Sequence, residues 1–151
     1  MTLRRIAKER ANLQTDPLEP CFSISISDEN LLHWTATVTG PVSSPYAAAN
    51  FQLQIFLPET YPHIPPRITF TTPIFHPNVS STGEVKMAQL EKQQWCPVFT
   101  VRTLLVCVQA LLNDPNVEEG CVVNEEAASL WARDREGFGE KVRLWMMSRG
   151  V

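Results

Sequence analysis

The chain has 151 residues, of which 44% are hydrophobic and 19% charged, a size and balance that suit one globular domain with a single core spanning 1–151. Its 16 acids and 13 bases are interspersed, giving a net charge of -3 and no basic block that could neutralise a phosphate backbone, so nucleic acid is not an expected partner. No apolar run approaches the roughly 20 residues that cross a bilayer, and Arg4, Arg5 and Lys8 precede no signal-type apolar stretch. A soluble protein of the cytoplasm or nucleus, without a membrane partner, is expected. Cys21, Cys96, Cys107 and Cys121 form no CxxC pair, so neither a bound metal nor a disulfide framework is expected.

In chain order, Leu3, Ile6, Arg10 and Leu13 recur at helical spacing, with Arg4, Arg5, Lys8 and Glu9 between them as a solvated face, and Asp16-Pro17 closes the helix. From Phe22 the period becomes two. Phe22-Ile24-Ile26, Leu32-Trp34-Ala36-Val38, Phe51-Leu53-Ile55-Leu57 and Ile68-Phe70 predict four strands, separated by turn residues at Asp28-Glu29-Asn30, Gly40-Pro41 and the proline-rich 58–66 stretch. Between Thr72 and Phe99 periodicity fails, and an irregular segment of that length in a compact domain is more often functional than idle.

Thr100 then caps a helix carrying Val101, Leu104, Leu105, Val108, Leu111 and Leu112, apolar over so wide an arc that it must be central, and Cys107 within it reads as a small buried hydrophobe. Asp114-Pro115 stops it. A short helix from Asn124 to about Trp131 and a last one opening at Asp134, with Phe138, Val142 and Trp145 on one face, complete the chain. The class is α+β: a four-stranded antiparallel meander with an N-terminal helix, a central helix and two C-terminal helices.

Tyr61-Pro62-His63-Ile64-Pro65-Pro66, then Ile68-Thr69-Phe70, His76-Pro77-Asn78, Gly83-Glu84-Val85, Trp95-Cys96-Pro97 and Leu111-Leu112-Asn113-Asp114-Pro115-Asn116 together resemble the ubiquitin-conjugating enzyme family. His33-Trp34, Gly40-Pro41 and Ser44-Pro45-Tyr46 extend the resemblance over nearly the whole chain. It implies that family's fold, a cis bond in the 61–66 loop at Tyr61-Pro62, and a carrier that takes ubiquitin from an activating enzyme and passes it, with a ligase, to substrate lysines. No cofactor is implied, since ATP is used by the activating enzyme.

Members of the family carry ubiquitin as a thioester on a cysteine that lies eight residues beyond the asparagine of the His-Pro-Asn motif; counting from Asn78 through Gly83-Glu84-Val85 reaches Lys86. A thiolate attacks readily and also leaves readily, so a thioester both forms and transfers. Lysine fails in the second role: its amine, with a reference pKa of about 10.4, is mostly protonated near pH 7, and once acylated it is an isopeptide that no longer transfers. Transfer by the chain as written is therefore expected to be absent, with ubiquitin trapped at Lys86. The intact surroundings favour a lysine substituted into an otherwise competent site, a stable mimic of the charged carrier. The alternatives are a natural noncatalytic ubiquitin-binding variant and a carrier of a ubiquitin-like modifier such as SUMO, against which stands the acidic character of the chain. Hydrolase readings lack HExxH and GxSxG.

The resemblance also implies further roles. Asn78 would stabilise an oxyanion or order its loop; His76 and Pro77 would structure that loop; Glu119, with Glu118 as rival, would be an acidic gate for the incoming lysine. Arg4, Arg5 and Lys8 would meet the activating enzyme. Arg5, His63, Pro97 and Val98 would meet a ligase, and His63, where many members carry phenylalanine, suggests a dedicated one. Thr103, Val106 and Ala110 would contact a folded-back ubiquitin, and Phe22 would stand on the outer sheet face where some members bind a second ubiquitin.

Overall fold

A computed structural model describes residues 2–17 and 21–151. Helix α1 runs Thr2–Thr15; strands β1 (Phe22–Ile26), β2 (His33–Thr39), β3 (Asn50–Phe56) and β4 (Arg67–Phe70) follow; then come α2 (Val101–Asn113), α3 (Glu125–Arg133) and α4 (Arg135–Ser148). The strands pair antiparallel in the order β1-β2-β3-β4, the expected meander. Its register sets Val38 opposite Phe22 and Phe51, and Ile55 opposite Trp34 and Ile68. Because side chains alternate across a strand, one face gathers Trp34, Ala36, Val38, Phe51, Leu53, Ile55, Ile68 and Phe70 into the core, and the other carries Ser23, Ser25, Thr35, Thr37, Gln52 and Gln54.

Helix α2 supplies the other half of that core through Val101, Leu104, Leu105, Val108 and Leu112. Its start is fixed twice. The Thr100 hydroxyl accepts from the Thr103 N–H, and the Val101 N–H donates to Glu9 Oε1 at 2.9 Å, so two orphan donors of the first turn are satisfied. Asn124 caps α3 through the Ala127 N–H, and Asp134 caps α4 through the Gly137 N–H. Helix α3 continues to Arg133, two residues past the expected end.

Two expectations for the N-terminal third need correction. Leu3 is exposed, and Glu9, expected on the solvated face, is only 5% exposed. Its carboxylate accepts from the Tyr61 hydroxyl, from Arg5 Nε at 2.9 Å and from the Val101 N–H. The physical reason is spacing: Glu9 follows Ile6 by three residues and precedes Leu13 by four, so it lies on the stripe that faces the core. Burial there pushes the Tyr61 hydroxyl well above the usual phenol range, reinforced by its bond to Glu9.

Phe22 is the second correction. It shares a face with Ile24 and Ile26, is half-buried against the core, and with Arg10, Leu13 and Pro17 lines a groove between α1 and β1. The outward position belongs to Ser23, because the strand alternates from Phe22 onward and cannot turn two adjacent side chains to one face.

The 72–99 segment is more ordered than its lack of periodicity suggests. Bridges join Thr69 to Glu84 and Val79 to Val85, and a 3-10 turn covers Ala88–Leu90. Gly83 sits at φ +88, with its carbonyl accepting from the Phe70 N–H at 2.7 Å; a Cβ there would fall 2.1 Å from the Phe70 carbonyl oxygen. Only glycine permits that approach. The Tyr61-Pro62 bond is cis, as expected.

Removing the buried carboxylate should strand three donors at once. Glu9→Ala is expected to lower unfolding free energy by about 3 kcal/mol, measured from urea midpoints at pH 7.5. A loss under about 1 kcal/mol would show that water takes over its bonds.

Candidate functional site

The site is assembled around a turn at 76–79 that is buried throughout. His76 is fully buried between two backbone groups: its Nδ1 accepts from the Asn78 N–H at 2.9 Å and its Nε2 faces the Leu111 carbonyl at 2.8 Å. That pairing requires the neutral ring with its proton on Nε2. Burial drives its pKa down to about 4, against the opposing pull of the Leu111 carbonyl. The Pro77 carbonyl accepts from the N–H groups of Val123 and Asn124 at 2.9 and 3.1 Å, docking the start of α3 onto the turn.

Asn78 is fully buried and its side-chain amide is wholly committed. Nδ2 donates to the carbonyls of Asn116 at 2.7 Å and Cys121 at 2.9 Å, while Oδ1 accepts from the Asn116 N–H at 2.9 Å. In this arrangement Asn78 orders its loop, and neither amide hydrogen is free to meet an oxyanion. The backbone carbonyl of the same residue accepts from the Lys86 N–H at 2.8 Å, so the turn sets the place of position 86 directly.

Lys86 opens onto a cleft of about 430 Å3 whose apolar walls include Ile64, Pro65, Pro66, Ile68, Leu90 and Val123. Its Nζ lies 3.3 Å from Glu91 Oε1, with the two side chains 37% and 43% exposed. Sequence reasoning missed Glu91, since nothing in the local pattern marks a residue on the far side of the 3-10 turn. Glu118 and Glu119 lie on an exposed turn, closed by the Cys121 N–H bonding to the Glu118 carbonyl at 3.0 Å and by Gly120 at φ +83. Asn116 and Cys121 flank that turn, so it is held by Asn78 on both sides.

The remaining predicted positions fall into two groups. The first gathers at one end. Trp95 Nε1 donates to the Pro62 carbonyl at 2.8 Å, and Arg5 Nη2 donates to the Phe99 carbonyl at 2.9 Å, which draws together α1, the loop bearing His63 and the loop bearing Pro97 and Val98. His63 and Pro97 are exposed, and Val98 is 78% exposed. Arg5 is spent internally on Glu9 and Phe99, whereas Arg4 and Lys8 face outward. The second group, Thr103, Val106 and Ala110, lies along one side of α2, with Val106 and Ala110 exposed. Of the cysteines, Cys121 contributes its carbonyl to the Asn78 tie, and burial raises the Cys107 thiol.

A family model described as ubiquitin-conjugating enzyme matches residues 5–146 of the chain.

The neutral, buried His76 makes stability depend on pH. Unfolded, the ring takes a proton near pH 6.5; folded, it resists down to about 4, so the unfolded state binds more protons between these values and stability falls as the pH falls through that window. The loss should reach about 3 kcal/mol by pH 4. In urea titrations from pH 7.5 to 4.5, His76→Gln should start less stable than the parent and converge on it with acidification. Parallel curves would mean that His76 is not the titrating group.

Proposed function

Since the chain belongs to the ubiquitin-conjugating enzyme family, whose members work with ubiquitin, an activating enzyme and ligases, we propose that position 86 is its acceptor for ubiquitin and that lysine there converts a relay into a trap. The observation that carries this reading is the anchoring of Lys86: its N–H is bonded to the carbonyl of Asn78, and its side chain reaches the mouth of an open cleft. In the step proposed, the neutral amine of Lys86 attacks the thioester carbonyl of ubiquitin held by the activating enzyme. The N–C bond forms, the C–S bond breaks, the thiolate leaves on the activating enzyme, and the amine proton passes to solvent. The product is an isopeptide that resists thiols and does not transfer, so the transferase chemistry of the family is silent in this chain.

In the same proposal Arg4 and Lys8 meet the activating enzyme, and His63, Pro97 and Val98 form the ligase-facing end in the cytoplasm or nucleus. Glu119, or Glu118 beside it, stands where an incoming lysine would be received. Thr103, Val106 and Ala110 offer a small, partly apolar strip for ubiquitin itself. Among the described residues no helix is long and apolar enough to cross a membrane. A second reading, a noncatalytic module that binds ubiquitin without accepting it, draws support from the Lys86–Glu91 pair, which keeps the amine engaged.

Substitution at position 86 separates the two. Incubated with activating enzyme, ATP and ubiquitin, the chain should slowly gain one reductant-stable ubiquitin at Lys86, faster as pH rises, whereas Lys86→Cys should charge quickly with a reductant-labile adduct that discharges onto free lysine. Failure of a folded Lys86→Cys variant to charge would remove the carrier reading and leave the binding module. At the ligase-facing end, His63→Phe should tighten binding to a generic RING domain about fivefold, from roughly 40 Å2 of added apolar contact at about 25 cal/mol per Å2. Calorimetry with several RING domains checks it, and unchanged affinity throughout would place this loop away from the ligase.

A further inference from the structure

Lys86 and Glu91 approach each other from two separately anchored pieces of backbone. The Lys86 N–H is held by the Asn78 carbonyl at 2.8 Å. Glu91 ends the 3-10 turn, its N–H donating to the Ala88 carbonyl at 3.1 Å, and its own carbonyl accepts from the N–H groups of Gln94 and Trp95 at 2.9 and 2.8 Å. The pair thus spans two anchored segments, with Nζ and Oε1 3.3 Å apart. The other charged groups on the cleft are Arg67 from β4, Glu84 from the loop before Lys86, and Lys92 beside Glu91. Among the described residues, Glu91 alone is in ion-pair contact with Lys86.

We infer that Glu91 is a positioning residue for the acceptor amine: it engages the Lys86 side chain in an ion pair and thereby slows acylation at that position. This rests on the reading of Lys86 as the acceptor. Before its amine attacks a carbonyl, the Lys86 side chain must leave its carboxylate partner. The pair is half open to water, and exposed ion pairs of this kind change an equilibrium by no more than about fivefold. Glu91 is therefore a modest brake laid over the much larger one that protonation already applies to any lysine at neutral pH.

The test uses a reagent that needs no partner protein. Trace acetic anhydride acylates free amines, and mass spectrometry gives the ratio of Lys86 to Lys8 labelling in a single sample. At pH 7 and low salt, Glu91→Gln should raise that ratio about two- to fivefold, with Glu91→Asp restoring most of the parent value. The difference should close in about 1 M salt, where the pair is screened. Raising salt on the unsubstituted chain tests the same pair without any substitution, and should increase its ratio alone. An unchanged or lower ratio in Glu91→Gln, with no salt response in the parent, overturns the assignment. Ubiquitin adduct rates run in parallel divide the outcomes: labelling that rises while neither protein gains ubiquitin leaves the Glu91 pairing standing and removes the acceptor reading. Equal labelling with equal ubiquitin gain does the reverse.

Discussion

Asn78 spends its entire side chain on the backbone of a distant loop, and the site takes its shape from that fact. A buried amide left unpaired costs about 1–3 kcal/mol per group, so the segments 76–79 and 116–121 have one mutual arrangement that satisfies all three bonds. The carbonyl of the same residue then receives the Lys86 N–H. Position 86 is thus located by its neighbours' main chain, independently of its own side chain. A cysteine or a lysine there would start from the same backbone position, but the lysine amine stands several bonds farther out than a thiol would. His76 and Pro77 add to the clasp by tying the turn to the end of α2 and the start of α3.

Much of this was visible in the sequence because the fold obeys simple periodicities. The period-two runs from Phe22 to Phe70 are strands with ends shifted by at most a residue, Thr100 caps its helix as expected, and Asn124 and Asp134, expected as helix starts, are the caps there. What escaped was decided by contacts far apart in sequence. Glu9 is charged, and charge argued for solvent; its partners Tyr61 and Val101 lie 52 and 92 residues away, yet its spacing from Ile6 and Leu13 already put it on the buried stripe. Position in the motif points Phe22 outward, while the alternation of its own strand requires it to face inward. The order within 72–99 comes from single bridges to β4 and across the turn, which leave no periodic trace.

Glu9 also explains how separate surfaces hold together. Its carboxylate joins α1, the 58–66 loop and the first turn of α2, while Arg5 and Trp95 join the same helix and loop to the 95–99 segment. An arginine that the motif offered to outside partners is therefore part of the frame that presents Arg4, Lys8, His63 and Val98. A negative charge at the start of α2 also lies where the helix dipole favours it. The end bearing His63 and Val98 and the outer side of α1 are parts of one packed unit.

The amine at position 86 has a further consequence, for redox chemistry. A site that works through a low-pKa thiolate is also the place where peroxides and electrophiles strike first, and a carrier so modified is lost until a reductant repairs it. Lys86 presents no sulfur to oxidise, and the Cys107 thiol is held further from the reactive thiolate by burial. The residues lining the cleft carry no sulfur, so an oxidant that would silence a cysteine at position 86 meets none there.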